Sequence, residues 1–324
     1  MISRRIVILS MIGVGLFAMT GGYADAGFPD KPITIVVPWA PGGTADLMSR
    51  TLAKPMSEEL KQPVIVINKP GAAGVTGTLE LERIAPDGYT IGPYSISQAL
   101  TQYTSPNPTN LANIVPIAEV MTTYATLTVN AGQPWNTLGE FIAFAKANPG
   151  KIRNANSGKG ASSHIFAEAF DKIAGIKEIH VPFGGYAPSV SAVAGGHIEA
   201  TCTPVADVHA MAKAGKVRIL AVAAEERQEP IPMVPTMKEL KINLVIDNWV
   251  GLAAPRGTPP EIIDILDKAI EKSLKRPEVT KTLRDIGYVI IYRNHTAFSE
   301  WLKTHDVYLR GLCDSLGLWI APRK

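Results

Sequence analysis

Strand and helix alternate along almost the whole chain. This predicts an α/β protein of two doubly wound domains around a central cleft, joined by two crossing strands. Length and linkage support the same picture. At about 100–200 residues per domain, 324 residues call for two cores. No low-complexity linker separates the halves. Instead two apolar, strand-like stretches, Thr126–Asn130 and Asp247–Ala254, bracket a middle block and are the candidate crossings. The domains read from this are 27–125 plus 250–324 and 126–249.

The elements follow in order. Ile33-Thr34-Ile35-Val36-Val37 is a β-branched run suited to a strand buried on both faces. Pro38 to Gly43 breaks it, and Thr44 is expected to cap a helix running to Leu60. Val64–Ile67 is a second strand, ended by Asn68-Lys69-Pro70-Gly71. A helix over 74–84 and a turn at Pro86-Asp87-Gly88 lead to a strand from Tyr89 to Gly92. Such a β-α-β-α-β run points to parallel strands with crossover helices. Downstream, strands are expected at Thr126–Val129, Arg153–Asn156, Ile179–Val181, Ile198–Cys202, Val217–Ala223 and Trp249–Ala254. Helices are expected at Leu138–Ala147, His164–Ile173, Ser189–Ala194 and Val208–Ala214. After Pro259-Pro260, Ile262, Ile263, Leu266, Ala269, Ile270 and Leu274 recur at helical spacing. A last amphipathic helix spans Ala297–Leu316.

Composition narrows the function classes. The chain is 46% hydrophobic and 19% charged, with 28 Gly, 25 Pro and two Cys, which excludes collagen-like, disordered and disulfide-scaffold proteins. Basic and acidic residues nearly balance, 32 against 29, with no basic stripe, so nucleic acid is not an expected partner. Arg4 and Arg5 precede an apolar stretch from Ile6 to Met19, and Ala24-Asp25-Ala26 fits a small-x-small cleavage site. Residues 1–26 therefore read as a signal peptide, cleaved near Ala26, and the mature protein as exported and soluble. Cys202 and Cys313 are expected as buried free thiols in different domains. The six histidines (His164, His180, His197, His209, His295, His305) show no metal-ligand spacing, so no metal is expected.

Three glycine-rich loops lie between a strand and a helix: Pro41-Gly42-Gly43-Thr44-Ala45-Asp46, Pro70 to Gly77, and Asn156 to His164. Unpaired amides and the helix dipole make such places anion sites without a basic side chain. In doubly wound sheets, loops at strand ends converge on one crevice. Enzyme signatures are missing from them. Gly71 to Gly77 is G-x-x-G-x-x-G rather than the dinucleotide G-x-G-x-x-G, and neither Gly158-Lys159 nor Gly215-Lys216 completes a P-loop. Ser157 is not in a nucleophile elbow. His164 reads as a cap or packing residue, and nothing assembles nucleophile, base and orienter. The loops read as a binding cleft with no cofactor.

At this point an ordered set of motifs resembles one family. Phe28-Pro29-Asp30-Lys31-Pro32-Ile33-Thr34-Ile35-Val36-Val37-Pro38 followed by Pro41-Gly42-Gly43-x-x-Asp46 is similar to the mature opening of Bug-family proteins, the periplasmic solute receptors of tripartite tricarboxylate transporters. Asn68-Lys69-Pro70-Gly71-Ala72-Ala73-Gly74, Pro86-Asp87-Gly88-Tyr89-Thr90, Ser162-Ser163-His164, His180-Val181-Pro182-Phe183, Ala187-Pro188, Gly195-Gly196, Lys213-Ala214-Gly215-Lys216, Val234-Pro235-Thr236 and Trp249-x-Gly251-Leu252 follow in sequence.

The resemblance implies a periplasmic, Venus-flytrap protein of the type 2 binding fold, a monomer that hands its ligand to membrane subunits. It implies a small carboxylate as ligand: a di- or tricarboxylate, an amino acid or an aromatic carboxylate. Carried onto this chain, the contacts are Pro41, Gly42, Gly43 and Asp46 from one side and Ser157, Ala161, Ser162 and Ser163 from the other. The remaining alternatives are a ligand-presenting subunit of a sensory system and a periplasmic α/β hydrolase. Two departures stand out. Phe183-Gly184-Gly185-Tyr186 replaces the usual Tyr-Lys-Gly-Ser, and Thr203-Pro204 falls where relatives carry Asp-Asn. Tyr186 is either a stacking residue for a flat ligand or a surface tyrosine. At least one carboxylate is expected against the amides near Gly42-Gly43 and Ala161–Ser163, without direct Lys or Arg contact and with Lys159 dispensable.

Overall fold

The β-branched run forms β1 (Ile33–Val37), buried at all but Thr34, with β2 (Val64–Asn68) and β3 (Thr90–Ser95) parallel on either side. The computed structural model describes residues 27–106 and 109–318, so the expected signal peptide lies outside them. Helix α1 (Thr44–Leu60) connects β1 to β2, and α2 (Val75–Leu81) lies between β2 and β3. The cap of α1 is Gly43, not Thr44: Gly43 is extended and provides no side chain to the helix amides.

After β3 come α3 (Ile96–Thr104) and β4 (Ile114–Thr122), neither of which the sequence pattern indicated. The chain then enters the second sheet with β5 (Thr126–Asn130), α4 (Leu138–Ala147), β6 (Arg153–Asn156), α5 (Ser162–Ala174), β7 (Ile179–Pro182), α6 (Tyr186–Ala194), β8 (Ala200–Thr201), α7 (Val205–Lys213) and β9 (Val217–Val222). It returns through β10 (Val250–Pro255), followed by α8 (Pro260–Leu274), α9 (Pro277–Ile286), β11 (Val289–Arg293) and α10 (His295–Leu316). The sheet orders are β11-β4-β10-β3-β1-β2 and β7-β6-β8-β5-β9. Both are mixed rather than parallel, because each includes strands the chain uses to leave or re-enter. Thus β10 runs antiparallel to β3 and β4, and β5 antiparallel to β8 and β9.

The two crossings lie side by side just ahead of β5 and β10. Thr123 and Asn248 exchange both backbone hydrogen bonds, at 3.3 and 2.6 Å, and Tyr124 bridges Asp247. Helix α10 packs on β4 of the first sheet, on α3, and on α5, which flanks the second sheet. Cys202 and Cys313 are buried and unbridged. Among the described residues no helix is long and apolar enough to cross a membrane.

Glu119 of β4 is only 1% exposed and pairs with Arg293 of β11. Burial pushes its carboxyl up to about 7, although Arg293 opposes this. A group that holds its proton more tightly when folded favours folding at low pH and loses that contribution as pH rises through its folded pKa. The urea midpoint of Glu119→Gln should therefore gain on the unmodified protein between pH 4.5 and 8, by about 2–3 kcal/mol in unfolding free energy. A difference independent of pH would contradict this.

Candidate ligand-binding cleft

The loop after β1 is shaped by Asp46, which is 3% exposed. Its carboxylate accepts from the Gly42 amide at 2.9 Å, from Arg50 Nε at 3.0 Å and from Asn68 Nδ2 at 2.8 Å. Burial pushes this carboxyl up, but those hydrogen bonds outweigh it and hold the group below the usual carboxylate range. Asp46 is thus turned inward and fixes the path of Gly42-Gly43. The Thr44 amide donates to Asp207 Oδ1 at 3.0 Å, and the Thr44 hydroxyl donates to Asp207 Oδ2. Among the described residues the amides of Gly43 and Ala45 have no acceptor.

The opposite wall is the start of α5. Ala161 caps it with a buried, extended backbone, and Ser162 is its first residue. The Ser162 amide donates to Ser97 Oγ at 3.2 Å, and the Ser162 hydroxyl lies within hydrogen-bond distance of Ser97 Oγ, Tyr186 Oη and Asn248 Oδ1. Tyr186 Oη also donates to Asn248 Oδ1 at 3.0 Å. Ser157 and Ser163 bind each other, the Ser157 amide donating to Ser163 Oγ at 2.9 Å. His164 Nδ1 accepts the Gly160 amide at 3.3 Å. Burial, with His180 and Lys159 nearby, lowers its pKa to about 4, so the ring is a neutral loop brace.

These bonds tie the starts of five helices into two groups: α7 to α1 through Asp207 and Thr44, and α3 to α5 through Ser97 and Ser162 with α5 to α6 through Tyr186. Helix starts carry roughly half a positive charge each, which favours an anion near them without a cationic side chain. Between the starts of α1, α3 and α6 lies a cavity of about 20 Å³, room for one water, lined by residues that include Trp39, Gly43, Thr44, Ser97, Asn248 and Trp249 and, among the described residues, by no Lys or Arg. The buried Trp249 indole N–H has no acceptor among the described residues. No group of His, Cys, Asp and Glu among those residues is arranged to hold a metal ion.

The sequence-predicted residues are distributed unevenly around this cavity. Gly43, Asp46 and Tyr186 line it, whereas Ser162 stands one hydrogen bond behind it. Pro41 and Gly42 are exposed on the rim, with Gly42 facing Ala187 of the other wall. Ser157 and Ser163 brace the α5 loop from within, and Lys159 is exposed beside a different groove formed with Ala73 and Phe183. The Tyr186 ring fits neither earlier reading alone: its hydroxyl is part of the wall, and burial pushes that hydroxyl up to about 12. Sequence reading missed Ser97, Asn248, Trp249 and Asp207. The Ser95-Ile96-Ser97 step at a strand end was the available signal for the first of these.

Comparison with known proteins bears on the same cleft. Residues 48–306 match the family model described as the tripartite tricarboxylate transporter family receptor. Protein BugT of Bordetella pertussis is 33% identical over 283 residues, covering 85% of this chain and 87% of its own. The periplasmic binding protein BugD superposes with a TM-score of 0.87 at 29% identity, covering 90% of this chain and 99% of its own. MatC from Rhodopseudomonas palustris, solved with malate bound, gives 0.84 at 25% identity, with 88% and 99% covered.

Proposed function

Since the chain belongs to the tripartite tricarboxylate transporter receptor family, a family of solute-binding receptors, we propose that it is an exported receptor that captures a small carboxylate in this cleft and delivers it to the membrane subunits of a transporter. The observation that carries this reading is the convergence of the starts of α1, α3 and α6 on a cavity with no Lys or Arg among its described lining residues, with the starts of α5 and α7 hydrogen-bonded behind them. Charge-assisted hydrogen bonds from amides contribute about 1.5–3 kcal/mol each, so a few suffice to hold an anion. At least one carboxylate is met at the start of α5, with Trp249 as a further donor. The malate bound to MatC is a carboxylate of this kind. The protein acts as a monomer in the periplasm, after cleavage near Ala26, and catalyses nothing.

Binding is a hinge motion. Residues 27–125 with 250–324 form one lobe and residues 126–249 the other, and the paired crossings at Thr123–Ala125 and Ile246–Asn248 supply the pivot. A cavity of about 20 Å³ takes one water, so the lobes must part to admit an acid and close on it with contacts from both walls.

Thermal-shift screening of carboxylic acids, with mass spectrometry of the recovered solute, tests this. An acid that raises the melting temperature and returns chemically intact is the expected result. A protein unmoved by every acid, or one that returns the acid converted, contradicts it.

A further inference from the structure

We propose that Asp207 determines which carboxylic acids the cleft accepts, by filling the anion position at the start of α1 with a carboxylate of the chain's own. The proposal rests on the carboxylate reading above and narrows it. Asp207 belongs to α7, in the lobe built on the second sheet, yet both its oxygens are engaged by Thr44 of α1. Gly43 allows the approach: a Cβ there would lie 3.6 Å from Asp207 Oδ1. Gly43 and Thr44 both line the cavity and Asp207 stands behind them, so the far end of a ligand lying against α1 feels the charge of this carboxylate.

The two acidic groups at α1 differ in kind. Asp46 is neutralised by Arg50 and turned into its own loop. Asp207 has only the two Thr44 donors and no cationic partner among the described residues. At the start of α5 the contacts are Ser97, Tyr186 and Asn248, none of them acidic. The ligand's carboxylate is therefore taken at α5, and a second carboxylate directed at α1 meets a like charge. Acids with one carboxylate and an uncharged or hydrogen-bond-donating far end fit this cleft; diacids are disfavoured. Burial pushes the Asp207 carboxyl up to about 7, so it is ionised at pH 8.5.

Calorimetric titration at pH 8.5 with two matched pairs, butyrate against succinate and hexanoate against adipate, tests the assignment. The unmodified protein should prefer the monoacid of a pair by about tenfold or more, and Asp207→Asn, which keeps an acceptor for the Thr44 amide, should erase that preference. Asp207→Ser serves as a second neutral variant should the asparagine form fold poorly. A purely structural latch would change both affinities of a pair alike and leave their ratio standing. An unchanged ratio, or a preference for diacids in the unmodified protein, overturns the role of Asp207 alone. If none of the four acids binds any of the proteins, this inference fails, while the carboxylate reading stands or falls by the wider screen of acids.

Discussion

Replacing Gly251 by alanine is expected to lower the stability of the protein by about 3 kcal/mol or more. Gly251 lies in β10 between β3 and β4, opposite Tyr94 and Glu119. A Cβ at this position would come within 2.4 Å of the Ala118 carbonyl oxygen and 2.6 Å of Phe298 on α10. The phenyl ring can move, but the carbonyl belongs to the backbone of β4 and cannot shift without disturbing strand pairing. Trimming Phe298 to leucine in the same protein should therefore restore little. Urea unfolding followed by far-ultraviolet circular dichroism measures the loss. A change below about 1 kcal/mol would mean that the sheet relaxes around the methyl group. Asn248 and Trp249 sit immediately before this strand, so a displaced β10 should also weaken ligand binding.

Local patterns made much of the fold legible. The run Ile33–Val37, the spaced apolar residues of α8 and the stretch Leu138–Ala147 each carry their own signal, and each forms the element expected. The missed elements break such patterns for tertiary reasons. β4 contains Pro116 and the buried Glu119, whose partner Arg293 lies far along the chain. α3 buries Ser97, Gln98 and Thr101, polar residues that resemble a loop until their hydrogen bonds are seen. α9 is charge-rich and buries only Val279 and Leu283.

The same division holds at the cleft. Loops 41–46 and 157–163 announce themselves by glycine and serine at a strand-to-helix step, where amides are left unpaired. Asn248 and Asp207 carry no such mark. Asn248 acts because a crossing strand places it beside Ser162, and Asp207 because its partner Thr44 lies 163 positions away. Contacts made across the cleft by single polar side chains are invisible to periodicity.

Calorimetric titration of Ser162→Pro and Lys159→Ala, using the acid found by screening, separates recognition by amides from recognition by a lysine. Proline fits the first position of α5, because its fixed φ suits a helix start and the preceding Ala161 is already extended, at φ −74° and ψ 168°. The substitution removes an N–H and a hydroxyl while leaving the helix able to form. These two groups hold Ser97, Tyr186 and Asn248 in the cleft wall, and losing them should weaken binding by about 100-fold or more. Lys159 is exposed and does not line the cavity, so its truncation should change affinity by less than about threefold. If Lys159→Ala abolished binding while Ser162→Pro left it intact, a lysine and not the helix starts would hold the carboxylate.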